Sequence, residues 1–455
     1  MTTDDWLSRP LEGGAKYQAI ADSLEAAVAE GRLRGGDRLP PQRELAQRLG
    51  VDLTTVTKAY DVARQRGLIE ARGRLGSFVR EPDDTGFAQL PQVDAGMNMP
   101  PALPEGALSR AIADGTTALL RSGSGARLQY QPPGGALQDR IAGAALLSET
   151  CTETIAEQVV LTAGGQHALH AILASTLQPG DGIACGRYVY SGLKALAARH
   201  GIRLVPLAEM GAAALAEALA ADPGIRSVYV VPTNDNPTAL TLDVATRRAI
   251  ADVITRHDVQ LIEDDAYALL SAERLPTVTS FAPERCWHVA STSKIITPAL
   301  RIAYVRAPDV AAALALARDV HETAIMAPPI SAALVSGWIA NGTFHALVAE
   351  MRAEISARRT LADEALAGLA WRGHPQGYHL WISLPYGLSG QQVAEAMRTT
   401  ELPVVPAARF ALGDAPDGAV RVSLGGLNGH DRLASALRTL RGHLASPRQR
   451  GAMLV

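Results

Sequence analysis

Chemistry in this sequence gathers around one amine. The lysines are Lys16, Lys58, Lys194 and Lys294, set against a large excess of arginine, so a lysine inside a motif is informative. Lys294 closes Ala290-Ser291-Thr292-Ser293-Lys294 just after an apolar run, and Arg301 follows seven residues later. An amine, two hydroxyls and a guanidinium so spaced can hold an imine and a phosphate together. Upstream, Leu261-Ile262-Glu263-Asp264-Asp265-Ala266-Tyr267 ends another apolar run with an acid and then a phenol, and Asn234-Asp235-Asn236-Pro237-Thr238 closes a third with an amide. Thr162-Ala163-Gly164-Gly165-Gln166-His167 falls at a strand-to-helix switch, where small residues and free N–H groups suit a phosphate. Tyr190, in Tyr188-Val189-Tyr190-Ser191-Gly192, is a candidate to stack on a flat ring. An amine to form the imine, a carboxylate to keep a pyridine nitrogen protonated, donors to a ring oxygen and a phosphate cradle are together what a pyridoxal-phosphate site needs. Asp264 is the acid placed for the pyridinium, with Asp265 the adjacent alternative.

The elements that must position these groups alternate. Strand-like runs at Val159–Leu161, Ser227–Val231, Val259–Ile262, Trp287–Ala290 and Ile302–Val305 are separated by helical stretches such as Val244–His257. That alternation predicts an α/β domain with a mainly parallel sheet, whose strand ends on one side carry the ligand.

A chain of 455 residues exceeds one ordinary core, and the N-terminal part reads differently. Tyr17, Ile20, Ala21, Leu24, Ala27 and Val28 recur at helical spacing from Ala15 to about Glu30. Pro40-Pro41 opens a second helix that Gly50 ends, and Asp52 is placed to cap a third, Leu53 to Arg66. In that third helix Val56, Tyr60 and Ala63 face inward, leaving Thr54, Thr55, Thr57 and Lys58 exposed near its start. Two short strands, Leu68 to Ala71 and Ser77 to Arg80, flank a turn holding Arg72 and Arg74. The order is that of an α+β winged helix-turn-helix. Between residues 32 and 80 Arg and Lys clearly outnumber Asp and Glu, although the whole chain has a formal net charge of -3. Local basicity of this kind is what a reader of duplex DNA needs.

The expected organisation is a DNA-binding domain at 13–80, a polar, Pro/Gly-punctuated linker at 81–92, and a cofactor domain at 93–455. No apolar run has the length of a membrane span, and no secretory signal pattern opens the chain, which predicts a cytoplasmic protein. Cys151, Cys185 and Cys286 are scattered without metal-ligand spacing, and no metal is expected.

Both parts resemble known families. YQAIADSLEAAVAEGRLRGGDRLPPQRELAQRLGV, TTVTKAY and RGLIEARGRLGSFV are similar to the winged helix of the GntR family of bacterial regulators. That resemblance implies DNA contacts from Arg43, from Thr54, Thr55, Thr57 and Lys58, and from Arg72 and Arg74 on the wing. Asp52-Leu53 replace the Ser-Arg usual before the third helix, so the operator does not transfer by analogy. From about Val93 onward, Asn-Pro, then Asp-x-x-Tyr, then Ser-x-Ser-Lys with a distal Arg resembles the fold-type I aminotransferases. The resemblance implies that Lys294 is the Schiff-base lysine, Asp264 the pyridinium partner, and Asn236 and Tyr267 the ring-oxygen partners. Gly165, Gln166, Ser291, Ser293 and Arg301 would form the phosphate cradle, with Tyr190 over the ring. Tyr130 would reach the phosphate of the neighbouring subunit, and Arg421 would clamp a substrate carboxylate.

Joined in one chain, the two parts resemble the MocR subfamily. It implies a homodimeric transcription regulator that binds an operator in double-stranded DNA and senses an amino compound or B6 vitamer through imine exchange at Lys294. The rival expectations are a metabolic aminotransferase with an accessory winged helix, since nothing needed for a transaminase half-reaction is missing, and a sensor of pyridoxal phosphate itself.

Overall fold

The computed structural model describes residues 15–29, 32–33, 35–71, 76–80, 97–103, 106–121, 124–426 and 429–445. They fall into two compact units divided after Val93. The linker expected at 81–92 and the wing arginines Arg72 and Arg74 lie outside the described residues.

In the smaller unit, α1 (Lys16–Ala29), α2 (Gln42–Leu49) and α3 (Leu53–Gln65) precede the strands β1 (Ile69–Ala71) and β2 (Ser77–Val79), which pair antiparallel. Pro41 stands at the N-cap of α2, where a missing N–H breaks no intrahelical bond, and Gly50 ends that helix in the left-handed region at φ 60°. Asp52 caps α3, its carboxylate accepting from the Thr54 N–H at 2.8 Å. Ile20, Leu24, Leu45, Val56, Tyr60, Ile69 and Val79 form one buried cluster. Tyr60 keeps its hydroxyl satisfied by donating to the Pro40 carbonyl at 2.8 Å. The inward face expected of α3 is therefore the one that packs.

The larger unit is built on a seven-stranded sheet. Its strands are β3 (Val159–Thr162), β4 (Gly182–Gly186), β5 (Arg203–Leu207), β6 (Ile225–Val230), β7 (Gln260–Asp264), β8 (Cys286–Ser291) and β9 (Ala303–Arg306). The order across the sheet is β3-β9-β8-β7-β6-β4-β5. All neighbours are parallel except β9, which runs antiparallel to both β3 and β8. Helices α4 (Ala107–Arg121) and α5 (Leu137–Thr150) precede the sheet. Within it come α6 (Gly165–Thr176), α7 (Ser191–His200), α8 (Ala212–Ala221) and α9 (Val244–Arg256). Almost every position of β3, β6, β7, β8 and β9 is buried, as expected for strands covered on both faces.

After β9 come α10 (Val310–Ala324), α11 (Pro329–Asn341) and α12 (Thr343–Ala365). A four-stranded antiparallel sheet, β10 (Trp371–Arg372), β11 (His379–Ser383), β12 (Val404–Pro406) and β13 (Ala419–Ser423), carries α13 (Gly390–Met397) and α14 (His430–Ala445). Among the described residues no single helix is long and apolar enough to cross a membrane. The bent pair α11 and α12 has the apolar length, but it buries Leu334, Val335, Trp338, Phe344 and Leu347 in the main core.

Candidate functional site

Strand polarity brings the chemistry together. The carboxyl ends of the parallel strands β7 and β8 deliver Asp264 and Ser291 to the same side of the sheet. Because β9 is antiparallel, the residues just before it arrive at that side too: Ala303 lies opposite Thr162 of β3 and Ser291 of β8, which sets Arg301 beside both. A cavity of about 590 Å³ opens there. Gly165, Gln166, Tyr190, Asn236, Asp264, Tyr267, Ser291, Ser293, Lys294, Arg301 and Arg421 all line it, joined by Asn98, Tyr229 and Arg409. Tyr130 is not among the lining residues and is 81% exposed.

Lys294 ends the single 3₁₀ turn Thr292–Lys294 that follows β8, and its ammonium donates to the Asn98 carbonyl at 2.6 Å. Burial, then the nearby Arg421 guanidinium, push its pKa down to about 8, although Asp264 pulls the other way. A depressed lysine is neutral, and nucleophilic, over more of the physiological range. Lys194 is different: it lies on α7, donating to the Ala411 carbonyl at 2.7 Å.

Three consecutive acids at the end of β7 are sorted by strand alternation. Asp264 turns into the cavity, where burial raises its pKa and the hydroxyl of Tyr229 donates to it at 2.8 Å. Glu263 and Asp265 turn away. Glu263 accepts from the N–H groups of Val278 and Thr279 at 2.9 Å and lies 3.3 Å from His288, whose other ring nitrogen is 3.7 Å from Asp265. The register with Asp264 as the cavity acid is thus the one the strand adopts.

Tyr267 and Asn236 both line the cavity. The Arg421 guanidinium, 1% exposed, donates to Asn236 Oδ1 at 2.8 Å, which leaves the amide NH₂ as the group that can donate to a ligand oxygen. Beside Arg301, Gly164 has φ +86°, and a Cβ there would lie 2.6 Å from the Arg301 guanidinium, so glycine is required for that side chain to lie along the loop. Arg301 in turn donates to the Ala163 carbonyl at 2.8 Å. The first turn of α6 has no capping side chain. Gly192 likewise leaves room for the Tyr190 ring and Gln166, which donates to the Gly192 carbonyl at 3.0 Å.

These residues fit pyridoxal phosphate. Ser293 Oγ and Gln166 Oε1 are buried with no protein partner among the described residues, and a buried polar atom left so costs about 1–3 kcal/mol unless a ligand satisfies it. A hydroxyl and free helix N–H groups suit a phosphate, and the buried Asp264 carboxylate suits a cationic ring nitrogen. Three polar lining residues, Asn98, Tyr229 and Arg409, were not read from the sequence. Tyr229 had a readable signal, a lone phenol within the apolar run of β6, whereas the other two had none.

On the smaller unit, Arg43 and Lys58 project outward on α2 and α3. Lys58 stands 5.9 Å from the centre of the Tyr17 ring. Thr54 and Thr57 are occupied within the head: the Thr54 hydroxyl donates to Asp52 at 2.6 Å, and the Thr57 hydroxyl reaches Gln42 of α2 at 2.9 Å and the Leu53 carbonyl at 3.0 Å. Thr55 and Thr57 are half-buried rather than open, a correction to the exposed row expected from helical spacing. The close approach of α2 in the helix-turn-helix accounts for Thr57. Arg66 and Arg64 are neutralised inside the head, Arg66 by Asp22 and Glu25 at 2.6 and 2.7 Å and Arg64 by Asp61 at 3.0 Å.

Residues 102–437 match the family described as aminotransferase class I and II, and residues 16–79 match the bacterial regulatory proteins of the gntR family. The HTH-type transcriptional regulator YdeF of Bacillus subtilis is 30% identical over 93% of this chain and 93% of its own length. The chain belongs to the MocR subfamily of GntR-type transcription regulators. PtsJ of Salmonella typhimurium, a vitamin B6 salvage pathway transcriptional repressor, is 26% identical over 91% of this MocR chain and 95% of its own. The larger unit shares its fold with the kynurenine aminotransferase of Pyrococcus horikoshii, at a TM-score of 0.70 and 20% identity over 78% of this chain and 90% of that one. The cofactor of this MocR regulator is pyridoxal phosphate, and its GntR head binds DNA.

Proposed function

We propose that this regulator is a cytoplasmic homodimer that senses an amino compound or B6 vitamer by amine exchange at Lys294 and answers through its affinity for an operator with two half-sites. The convergence of Lys294, Asp264, Tyr267, Asn236 and Arg421 on one cavity, in a chain whose other unit reads DNA, carries this reading. When bound, pyridoxal phosphate supplies an aldehyde carbon that condenses reversibly with amines. Lys294 offers the neutral amine that holds it. Asp264 keeps a proton on the ring nitrogen, and Tyr267 and the Asn236 amide donate to the ring oxygen. Gly165, Gln166, Ser291, Ser293 and Arg301 hold the phosphate, Tyr190 stacks on the ring, and Tyr130, exposed in a single chain, reaches the neighbouring subunit's phosphate. Arg421 selects effectors that bear a carboxylate. In the head, Arg43, Lys58, Arg72 and Arg74 neutralise phosphates, while Thr54, Thr55 and Thr57 shape and present the start of α3.

Regulation requires one exchange and no turnover. A panel of amines and B6 vitamers, followed by visible absorption, DNA affinity and keto-acid formation together, tests this. An effector should shift absorption and DNA affinity with no catalytic yield of keto acid. Sustained keto-acid production with DNA affinity unmoved would make the chain a metabolic aminotransferase.

A further inference from the structure

Asn98 is polar yet 2% exposed, and its side chain commits its hydrogen-bonding atoms to the site. Nδ2 donates to the Tyr267 hydroxyl at 3.0 Å and lies 3.1 Å from His379 Nδ1, while Oδ1 accepts from Ser423 Oγ at 2.9 Å. Its backbone carbonyl is the acceptor for Lys294. The surroundings fix which way the amide points. His379 Nε2 is 2.9 Å from the Asp235 carbonyl, which can only accept, so Nε2 carries the proton and Nδ1 is an acceptor that needs the NH₂ of Asn98. Burial holds this imidazole neutral, its pKa pushed down to about 3. Since Tyr267 accepts from Asn98, its own proton is left to point elsewhere, and the cavity is what it faces.

We propose that Asn98 is a positioning residue that aims the Tyr267 proton into the cavity, reads the state of Lys294 through its carbonyl, and ties both to the chain leading back to the DNA-binding head. The regulatory part of this rests on the amine exchange proposed above. When Lys294 condenses with an aldehyde, a C=N bond forms, the aldehyde oxygen leaves as water with two hydrogens from the amine, and the nitrogen keeps at most one proton, shared with the ring oxygen. When an incoming amine displaces it, Lys294 regains those hydrogens and can again donate to Asn98. Asn98 is the fifth residue of the larger unit, which begins at Asp94, so this bond is made or broken near the point in the sequence where one unit gives way to the other.

Full-length Asn98→Ala and Asn98→Asp, loaded with pyridoxal phosphate, test the assignment. Asn98→Asp keeps the size and the acceptor for Ser423 but turns the group facing Tyr267 and His379 into an acceptor. The pH midpoint of the cofactor's visible band should rise by about one unit in both, the size expected for one lost hydrogen bond, because a ring oxygen deprived of the Tyr267 proton holds the lysine-nitrogen proton more tightly. The side chain's bonds to Tyr267, His379 and Ser423 hold the Asn98 carbonyl against Lys294, so with that anchorage lost the ratio of DNA affinities with and without a responding amine should fall toward one. Ser423→Ala, which only loosens Oδ1, should give a smaller shift in the same direction and serves where the Asn98 variants fail to fold. An unmoved midpoint in the loaded variants overturns the positioning role, and an intact amine response overturns the coupling. If the wild-type chain answers no amine, amine sensing and the coupling fall together, while the midpoint still decides the positioning role.

Discussion

The head and the cofactor cavity handle charge in opposite ways. In the head, Arg66 and Arg64 are spent on internal ion pairs, and Arg43 and Lys58 stand in water, where counterions screen them and little preorganisation is needed. In the cavity, Lys294, Asp264 and Arg421 are all withdrawn from bulk water and their pKa values or hydrogen bonds are set by one another. The first arrangement yields affinity that depends on how many cations there are. The second yields chemistry that depends on where each one is.

The sharpest break in this comparison is Lys294→Ala. It should abolish the covalent link to the cofactor and the visible band while leaving the fold intact, and borohydride reduction of the wild type followed by mass spectrometry should place the cofactor on Lys294. Label on Lys194 would show that position in the cavity is not what selects the amine. Next in size is Asp264→Asn, which should weaken cofactor binding about 10- to 100-fold, the range for a lost charge-assisted hydrogen bond. Asp265→Asn, just past β7 and turned away from the cavity toward His288, should leave that affinity within about twofold and act on thermal stability instead. The reverse pattern would mean that strand alternation does not sort the three acids.

A pH series addresses the cavity's electrostatics. The neutral amine is the nucleophile, and the folded pKa of Lys294 is depressed to about 8, so the rate of cofactor loading should climb about tenfold per unit below that pH and level above it. A rate still climbing near pH 10 would deny the effect of burial. In the head, single changes should be gentler. Lys58→Ala or Arg43→Ala should weaken operator binding and make its logarithmic salt slope shallower by about 0.9 for each phosphate that the variant no longer neutralises. An unchanged slope would remove that residue from the interface. Smallest of all, Asp52→Ala should cost about 1 kcal/mol of head stability through loss of the α3 cap, read as faster amide exchange along that helix.

What the sequence made legible follows the same divide. The helix faces and the cap of the head rest on neighbours a few residues apart, and the spacing of Val56 and Tyr60 predicts them. The cavity motifs were legible because each lies at the end of its own strand. Two strands of the main sheet escaped: β4, bounded by glycines in Gly182–Gly186, and β5, whose Pro206 is tolerated because β5 lies at the edge of the sheet. The small antiparallel sheet escaped as well, since β10 and β12 are too short to show alternation. Asn98 and His379 were invisible for a stronger reason: their partners, such as Ser423 for Asn98, come from the far end of the chain, and no local pattern records such a meeting.

The Arg421 guanidinium is, after burial, the main influence holding Lys294 below its ordinary pKa. If the effector's carboxylate seats on Arg421 as proposed, it would offset that influence, so the Lys294 amine freed by exchange would hold a proton more readily after a carboxylated amine than after a plain one. Carboxylated ligands would then gain on plain amines as the pH falls through about 8. On that proposal the site would sort its callers by acidity as well as by shape.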